Sequence, residues 1–430
     1  MSENFRQSRT GVGGLNGQID TIVFLTRRPI SKFEEEKWGF AYLRDRGFKL
    51  EVFDCTQLLY RDKKTCESVT ALVQQALQGD YIHQFNSYCE LELSLKRLAV
   101  SSLFVDYIMG NLDVTLKEER IFRLLKKYKA RYTFVSAGTL PVPSMFITNN
   151  PTGLKAFKRK LMKAVSNPSL LFNYLASKVI LLLTRHHIFY PLPMMIFGGH
   201  SEILQSYLAN RNIKSKVIPI NSFDYDTCIA YTQQEKNIVT EKEDICVFLD
   251  EAATHHPDNS MLGIEAASPE IYFSAIKSFF NFIEENTGYR VVIAAHPRSN
   301  YESLGAPFGE RQIIKGKTAE LVAKSKLVVM HASTSLSYAV FFRKPIIFLK
   351  VPGLSQENHV DRMVEAMANI IGNTPIDLMK DAPTPTLLQC KYAPEKYNEY
   401  ESRYIKTDEA EALPVWAIVT KSIENMQLCQ

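Results

Sequence analysis

Cysteine is sparse in this chain and never clustered. Seven residues, at positions 55, 66, 89, 228, 246, 390 and 429, form no C-x-x-C pair. An odd, scattered set excludes a disulfide framework and a zinc ribbon, and fits a reducing cytosol. Long apolar runs are missing too. The longest candidate, 170–183, is interrupted by Asn173 and Lys178, so no segment has the roughly 18 uninterrupted apolar residues of a spanning helix. There is no G-x-x-x-x-G-K-[ST] loop and no G-x-G-x-x-G fingerprint, which argues against a Walker-type ATPase and an ordinary dinucleotide site. Acidic residues are absent from Pro151 to Ser201, a stretch that holds seven Lys or Arg. Residues 1–17 are polar, lack the apolar core of a signal peptide and are expected to be disordered.

What the chain does contain is enough for two domains. It has 430 residues, 46% hydrophobic and 23% charged, with a net charge of +5. That is the composition of an ordinary globular protein long enough for two cores. Apolar runs bounded by polar residues predict strands over 21–25, 49–53, 102–108, 132–136, 194–197 and 215–220. A second series follows the charged stretch 233–244, with strands over 245–249, 291–295, 312–314, 327–330 and 346–349. Helical rhythm fills several of the gaps, at 34–46, 116–129, 202–210, 269–287, 318–324, 335–342 and 360–371. The expected fold is α/β, two Rossmann-like domains with a cleft between them. Residues 18–240 form the first, 241–385 the second, and a tail over 386–430 has a final helix at 415–426 and is placed to cross back to the first domain.

Chemistry gathers where strands of the second series end, the place where open α/β sheets bind ligands. Asp250-Glu251 ends the run Val247-Phe248-Leu249, and its carboxylates read either as turn caps or as a general base over the cleft. His296-Pro297-Arg298 ends 291–295. There the proline stops the ladder, and the imidazole is placed to meet charge on a departing phosphate. His331 ends 327–330, followed by Ser333-Thr334-Ser335 at a helix start. Those hydroxyls either cap the helix or join its N–H groups and dipole in an anion site. Earlier in the chain, Gly198-Gly199-His200 would let a backbone approach a ligand closely. Asp224-Tyr225-Asp226 matches a loose D-x-D pattern and is read as a hinge or acceptor-side element. His255-His256-Pro257-Asp258 lacks the spacing of a metal cluster, and no metal or other cofactor is expected.

In this order, Asp250-Glu251, His296-Pro297 and Ser333-Thr334-Ser335 resemble the motifs of GT-B glycosyltransferases of bacterial surface polysaccharide synthesis. The group most similar uses CMP-activated acidic sugars: sialyltransferases, polysialyltransferases and Kdo transferases. The resemblance spans about residues 195–350 and departs from the pattern where Ala252, not glycine, follows the acidic pair. It implies that His296 meets the donor phosphate together with Ser333, Thr334 and Ser335; by position Pro297 joins the donor-phosphate site, and His331 either shares it or supports it from behind. It makes Asp250 the base, with Glu251 as the alternative. Arg298, Lys315 and Lys317 are placed for the phosphate or for a sugar carboxylate.

The function so implied is transfer of a nonulosonate or Kdo from a CMP-sugar to a glycan or glycolipid acceptor of capsule, O-antigen or lipooligosaccharide, without a metal. The rivals are a UDP- or GDP-sugar transferase, a non-hydrolysing sugar epimerase, and a non-catalytic nucleotide-sugar-binding subunit of an assembly complex. The basic, partly apolar stretch 151–201 is either a solvated face or a contact with an anionic membrane surface, which would make the protein cytoplasmic and peripheral on the inner membrane. No recognition motif for nucleic acid accompanies it.

Overall fold

The structure is a computed structural model. It describes residues 18–60, 75–108, 116–138, 191–199, 202–235, 243–255, 266–297, 299–301, 304–354 and 358–428, together with positions 66, 67, 69, 70, 73, 179, 182 and 183. Residues 1–17, most of 151–201, His200, Arg298 and 256–258 therefore lie outside the described residues.

Seven strands build the first sheet: β1 (Thr21–Thr26), β2 (Lys49–Asp54), β3 (Ile82–Gln84), β4 (Ser102–Tyr107), β5 (Arg131–Ser136), β6 (Met195–Gly198) and β7 (Val217–Ile218). Their order is β3-β2-β1-β4-β5-β6-β7, all parallel. All six residues of β1 are buried, as a strand covered on both faces requires. Alternation divides them between two layers. Val23 and Leu25 pack with Phe53 and Phe104 on one face, and Ile22 and Phe24 pack with Phe40 and Val105 on the other. The helices of this unit are α1 (Lys32–Lys37), α2 (Phe40–Asp45), α3 (Thr56–Leu59), α4 (Tyr88–Leu98), α5 (Leu116–Lys127) and α6 (Glu202–Asn210).

The next helix, α7 (Phe223–Glu235), precedes a second sheet of β8 (Ile245–Leu249), β9 (Arg290–Ala295), β10 (Ile313–Lys315), β11 (Leu327–Met330) and β12 (Ile346–Phe348). Its order is β10-β9-β8-β11-β12, again all parallel. Here Val247 and Leu249 face one layer, Cys246 and Phe248 the other. The remaining helices are α8 (Pro269–Thr287), α9 (Thr318–Lys324), α10 (Leu336–Phe341), α11 (His359–Ile370), α12 (Pro394–Tyr400) and α13 (Val415–Leu428). Two parallel, doubly wound sheets make the protein α/β with two Rossmann-like domains. The strand order reverses between β1 and β4 in the first sheet and between β8 and β11 in the second. Those reversals open the crevices in which such folds bind ligands.

Helix α7, within the span expected for the first domain, packs on the second sheet. Tyr225 of α7 is buried in the layer under β8 and β11, its ring 6.2 Å from that of Phe341. The tail contributes to both domains. Tyr397, Tyr400 and Ile405 lie in the core of the second sheet, whereas Val415, Trp416, Ile418, Val419 and Ile423 lie in that of the first. The two crossings run side by side and are bonded together. The Ser222 amide donates to the Ile405 carbonyl (2.9 Å), the Thr407 hydroxyl to the Ile220 carbonyl (3.0 Å), and the Asn221 side-chain amide to the carbonyls of Glu411 (2.8 Å) and Leu413 (3.0 Å).

Candidate functional site

Asp250 and Glu251 leave β8, the central strand of the second sheet, beside its topological reversal. Their roles differ sharply. Asp250 is 4% exposed, and donors engage both of its carboxylate oxygens. Oδ1 accepts from the Tyr301 hydroxyl (2.6 Å) and the Ala252 amide (2.9 Å). Oδ2 accepts from the His296 amide (3.1 Å). A carboxylate so committed ties the loops after β8 and β9 together. Burial raises its pKa, and the three hydrogen bonds and His255 pull it back.

Glu251 lies on the other side of the same turn. Its Oε1 is buried and has no hydrogen-bond partner among the described residues. Burial first and the Asp250 charge second push its carboxyl up to about 8, opposed by a hydrogen bond from the Ala332 amide. That amide belongs to the loop after β11, so Glu251 bridges the two lips of the crevice. Ala252, fully buried, sits at φ +53°, in the left-handed region that glycine enters without penalty.

His296 is half-buried and Pro297 exposed. Their turn closes through the amide and hydroxyl of Ser299, which donate to the His296 carbonyl at 2.9 and 2.8 Å. The Lys315 ammonium donates to the Ser299 carbonyl and so braces this turn from β10. Lys317 pairs with Glu320 at 3.7 Å. His255 shares Nδ1 with the Thr254 hydroxyl (2.9 Å) and packs edge-on against Tyr301. Among the described residues no group of three or more His, Cys, Asp or Glu could hold a metal ion.

His331 is not available to a phosphate. Its side chain is fully buried. Nδ1 lies 2.8 Å from the Leu349 carbonyl, to which it must donate, leaving Nε2 to accept from the Tyr272 hydroxyl at 3.1 Å. Burial depresses the ring's pKa to about 4, so it is a neutral core histidine that ties β11 to β12 and α8. The Ser333–Ser335 turn is also partly self-satisfied. The Ser335 amide donates to Ser333 Oγ (3.3 Å), and the amides of Leu336, Ser337 and Tyr338 donate to the carbonyls of Ser333, Thr334 and Ser335. The free amides expected at the start of α10 are spent in this tight first turn. What remains toward solvent is the exposed Thr334 and the partly exposed Ser333 and Ser335.

The described first-domain candidates, Gly198, Gly199, Asp224 and Asp226, sit in packed contacts. A Cβ at Gly198 would meet Leu204 Cδ2 at 2.2 Å, and one at Gly199 would meet Thr407 Oγ1 at 2.9 Å. These glycines make room for the chain's own side chains. Asp224 bonds to the Ser337 and Tyr338 side chains on α10 and feels the charge of Lys37 on α1, while burial raises its pKa. Asp226 Oδ2 accepts from the Val415 amide at the start of α13 (2.9 Å), and its Oδ1 is buried without a partner among the described residues. The D-x-D pair thus joins the domains at the crossing. Burial and the nearby Asp224 bring Asp226 up to about 7. Stability from a raised acid is complete below its unfolded value and is lost as pH rises through the folded one. Asp226→Asn should therefore flatten the decline in thermal midpoint between about pH 4 and pH 8 and leave the variant the more stable at the upper end. A scan of midpoint against pH for the two proteins checks this.

Sequence reasoning did not find Tyr301 or Tyr272, the hydroxyls that fix Asp250 and His331, because nothing in their local pattern separates them from core tyrosines. No protein-family model matches the chain, and no curated protein matches it. Similar solved structures include the UDP complex of MnaA from S. aureus, at 12% identity over 95% of this chain and 98% of that one, with a TM-score of 0.45. The UDP-GlcNAc 2-epimerase of Methanocaldococcus jannaschii is similar at 13% identity over 94% and 99%, with a TM-score of 0.44. A variant of the wall teichoic acid polymerase TagF is similar at 13% identity over 95% and 90%, with a TM-score of 0.46. Likeness at this level says nothing about substrate.

Proposed function

We propose that the protein is a nucleotide-sugar-dependent glycosyltransferase of GT-B type, transferring an acidic sugar from a CMP-activated donor to a surface-glycan acceptor. The observation that carries the reading is Glu251: a carboxyl with a buried, unpartnered oxygen at the reversal of strand order, raised to about 8. A base for an acceptor hydroxyl works best when its pKa lies near the working pH, and this one does. Glu251 takes the hydroxyl proton as the oxygen attacks the sugar's anomeric carbon and the bond to the donor phosphate breaks. His296, on a turn held by Asp250 and Lys315, donates to the leaving phosphate. Ser333, Thr334 and Ser335 supply hydroxyls on the opposite lip. A CMP donor releases one phosphate, whose charge a histidine and oriented donors can meet without a divalent ion.

Thermal midpoints of the purified protein with CMP, UDP, GDP and ADP, each with and without magnesium, test this reading. A ligand that binds only the folded state raises the midpoint, and a magnesium-independent rise with CMP alone is expected. A rise with UDP or GDP replaces the donor, and conversion of a nucleotide sugar with no acceptor present replaces transfer by epimerisation. No rise with any nucleotide removes the enzyme reading.

A further inference from the structure

We infer that the first domain carries a separate subsite for an anionic, hydroxyl-rich ligand, an acidic sugar residue of the acceptor. That the ligand is an acceptor rests on the transferase reading; that it is an anion bearing hydroxyls rests on the cavity alone. The cavity, of about 570 Å³, is lined by Gln57, Asn86, Ser87, Tyr88, Cys89 and Arg120 among others. Its volume falls in the range of small-molecule sites, about 300–1,000 Å³. Topology assembles it. Gln57 lies on α3 directly after β2, Asn86 and Ser87 follow β3, and Arg120 comes across on α5, the crossover from β4 to β5. All these connections leave the carboxyl edge of the first sheet, where such folds collect ligands.

The chemistry of the lining is specific. The Arg120 guanidinium lies 4.3 Å from the centroid of the Tyr88 ring, a cation–π contact. No carboxylate among the described residues pairs with it. The acids nearby are committed elsewhere: Glu119 to Arg123 at 2.5 Å, Glu118 to Arg27 at 3.6 Å, and Glu92 to Lys127 at 2.6 Å. Glu90 accepts from the Asn86 amide (3.0 Å), while its own amide donates to Ser87 Oγ (3.3 Å), which staples the loop. Beside the apolar Leu58 and the Tyr88 ring, the walls offer the side-chain amides of Gln57 and Asn86, the Ser87 hydroxyl, the Cys89 thiol and the Arg120 guanidinium. Directional donors and acceptors around a single guanidinium suit a carboxylate-bearing pyranose.

The test is calorimetric titration of the full chain with methyl glucuronide and methyl glucoside, two pyranosides that differ only at the carboxylate, and with sodium acetate and sodium phosphate as bare anions. Methyl glucuronide should bind at least about tenfold tighter than methyl glucoside, the scale of a charge-assisted bidentate pair. Arg120→Gln should erase that difference and Arg120→Lys should keep part of it. Equal affinity for the two sugars, or a difference that survives Arg120→Gln, overturns the inference. So does acetate or phosphate binding as tightly as the glucuronide, which would mark a simple anion site. Arg120 is exposed, so its variants should melt with the wild type; if Arg120→Gln does not, Arg120→Lys decides. Glucuronide binding without any nucleotide response would leave this subsite standing and remove the transferase. The reverse result would remove the subsite alone.

Discussion

Glu251→Gln is expected to lower kcat/KM for sugar transfer by about 10²–10⁴-fold, the usual contribution of a general base, while the protein remains folded. Glutamine reproduces the shape and hydrogen bonding of the protonated carboxyl, the form favoured at neutral pH by burial and by the Asp250 charge. The sign of the pH effect follows from the upward shift. Stability associated with Glu251 is complete below about 4.5 and is lost as pH rises through about 8, where the buried carboxyl is forced to ionise. The variant should thus equal the wild type in stability below about pH 4.5 and exceed it increasingly as pH rises, by roughly 4–5 kcal/mol above pH 8. Wild-type activity should climb with pH through about 8, and residual activity of Glu251→Gln should show no such limb. Because Asp250 and Glu251 interact, that limb belongs to the pair as a macroscopic value. Activity within tenfold of wild type, with the same pH profile, would move the base elsewhere.

The frame of this site was legible from sequence because buried parallel strands are near-continuous apolar runs. Ile245–Leu249 and Leu327–Met330 have the bounds the pattern predicts, and the polar residues that follow each run necessarily fall at the carboxyl edge of the sheet. Short or weakly patterned elements were not legible. The strand Ile82–Gln84 has three residues, none fully buried. Helix α7 turns Phe223 toward the core of the first sheet and Tyr225 toward that of the second, so it shows no single apolar stripe; no helix was expected there, and its D-x-D run was read as a hinge or acceptor-side element. The division of labour between Asp250 and Glu251 was beyond sequence in principle. Neighbouring residues at a strand end point to opposite sides, and only the partners tell which side is brace and which is crevice. The choice for His331, between sharing the site and supporting it from behind, stayed open for a related reason. A histidine one step past a strand is a ligand or a core residue depending on whether acceptors and donors await both ring nitrogens, and here Leu349 and Tyr272 supply them.

Asp250→Ala should be the most destabilising single change at this site. It strips the acceptor from the Tyr301 hydroxyl and from the Ala252 and His296 amides, all within a pocket closed to solvent. Breaking a buried, charge-assisted arrangement by removing one partner costs about 3–5 kcal/mol, a large share of the 5–15 kcal/mol that holds a typical domain together. Asp250→Asn should cost less, about 2–3 kcal/mol, because one oxygen remains to accept while the new amide faces the His296 N–H donor to donor. Tyr301→Phe should cost only about 1–2 kcal/mol, since it removes one hydrogen bond and leaves the two amides satisfied. Denaturant unfolding of the three variants gives the series directly. The graded order distinguishes a brace from a base: a base would lose activity in Asp250→Asn with stability untouched, whereas a brace loses both together and passes part of the loss to Tyr301→Phe. In that last variant the turnover should fall by a modest factor while the pH limb set by Glu251 stays in place, because the carboxyl that titrates is still present and only the loop carrying His296 has loosened.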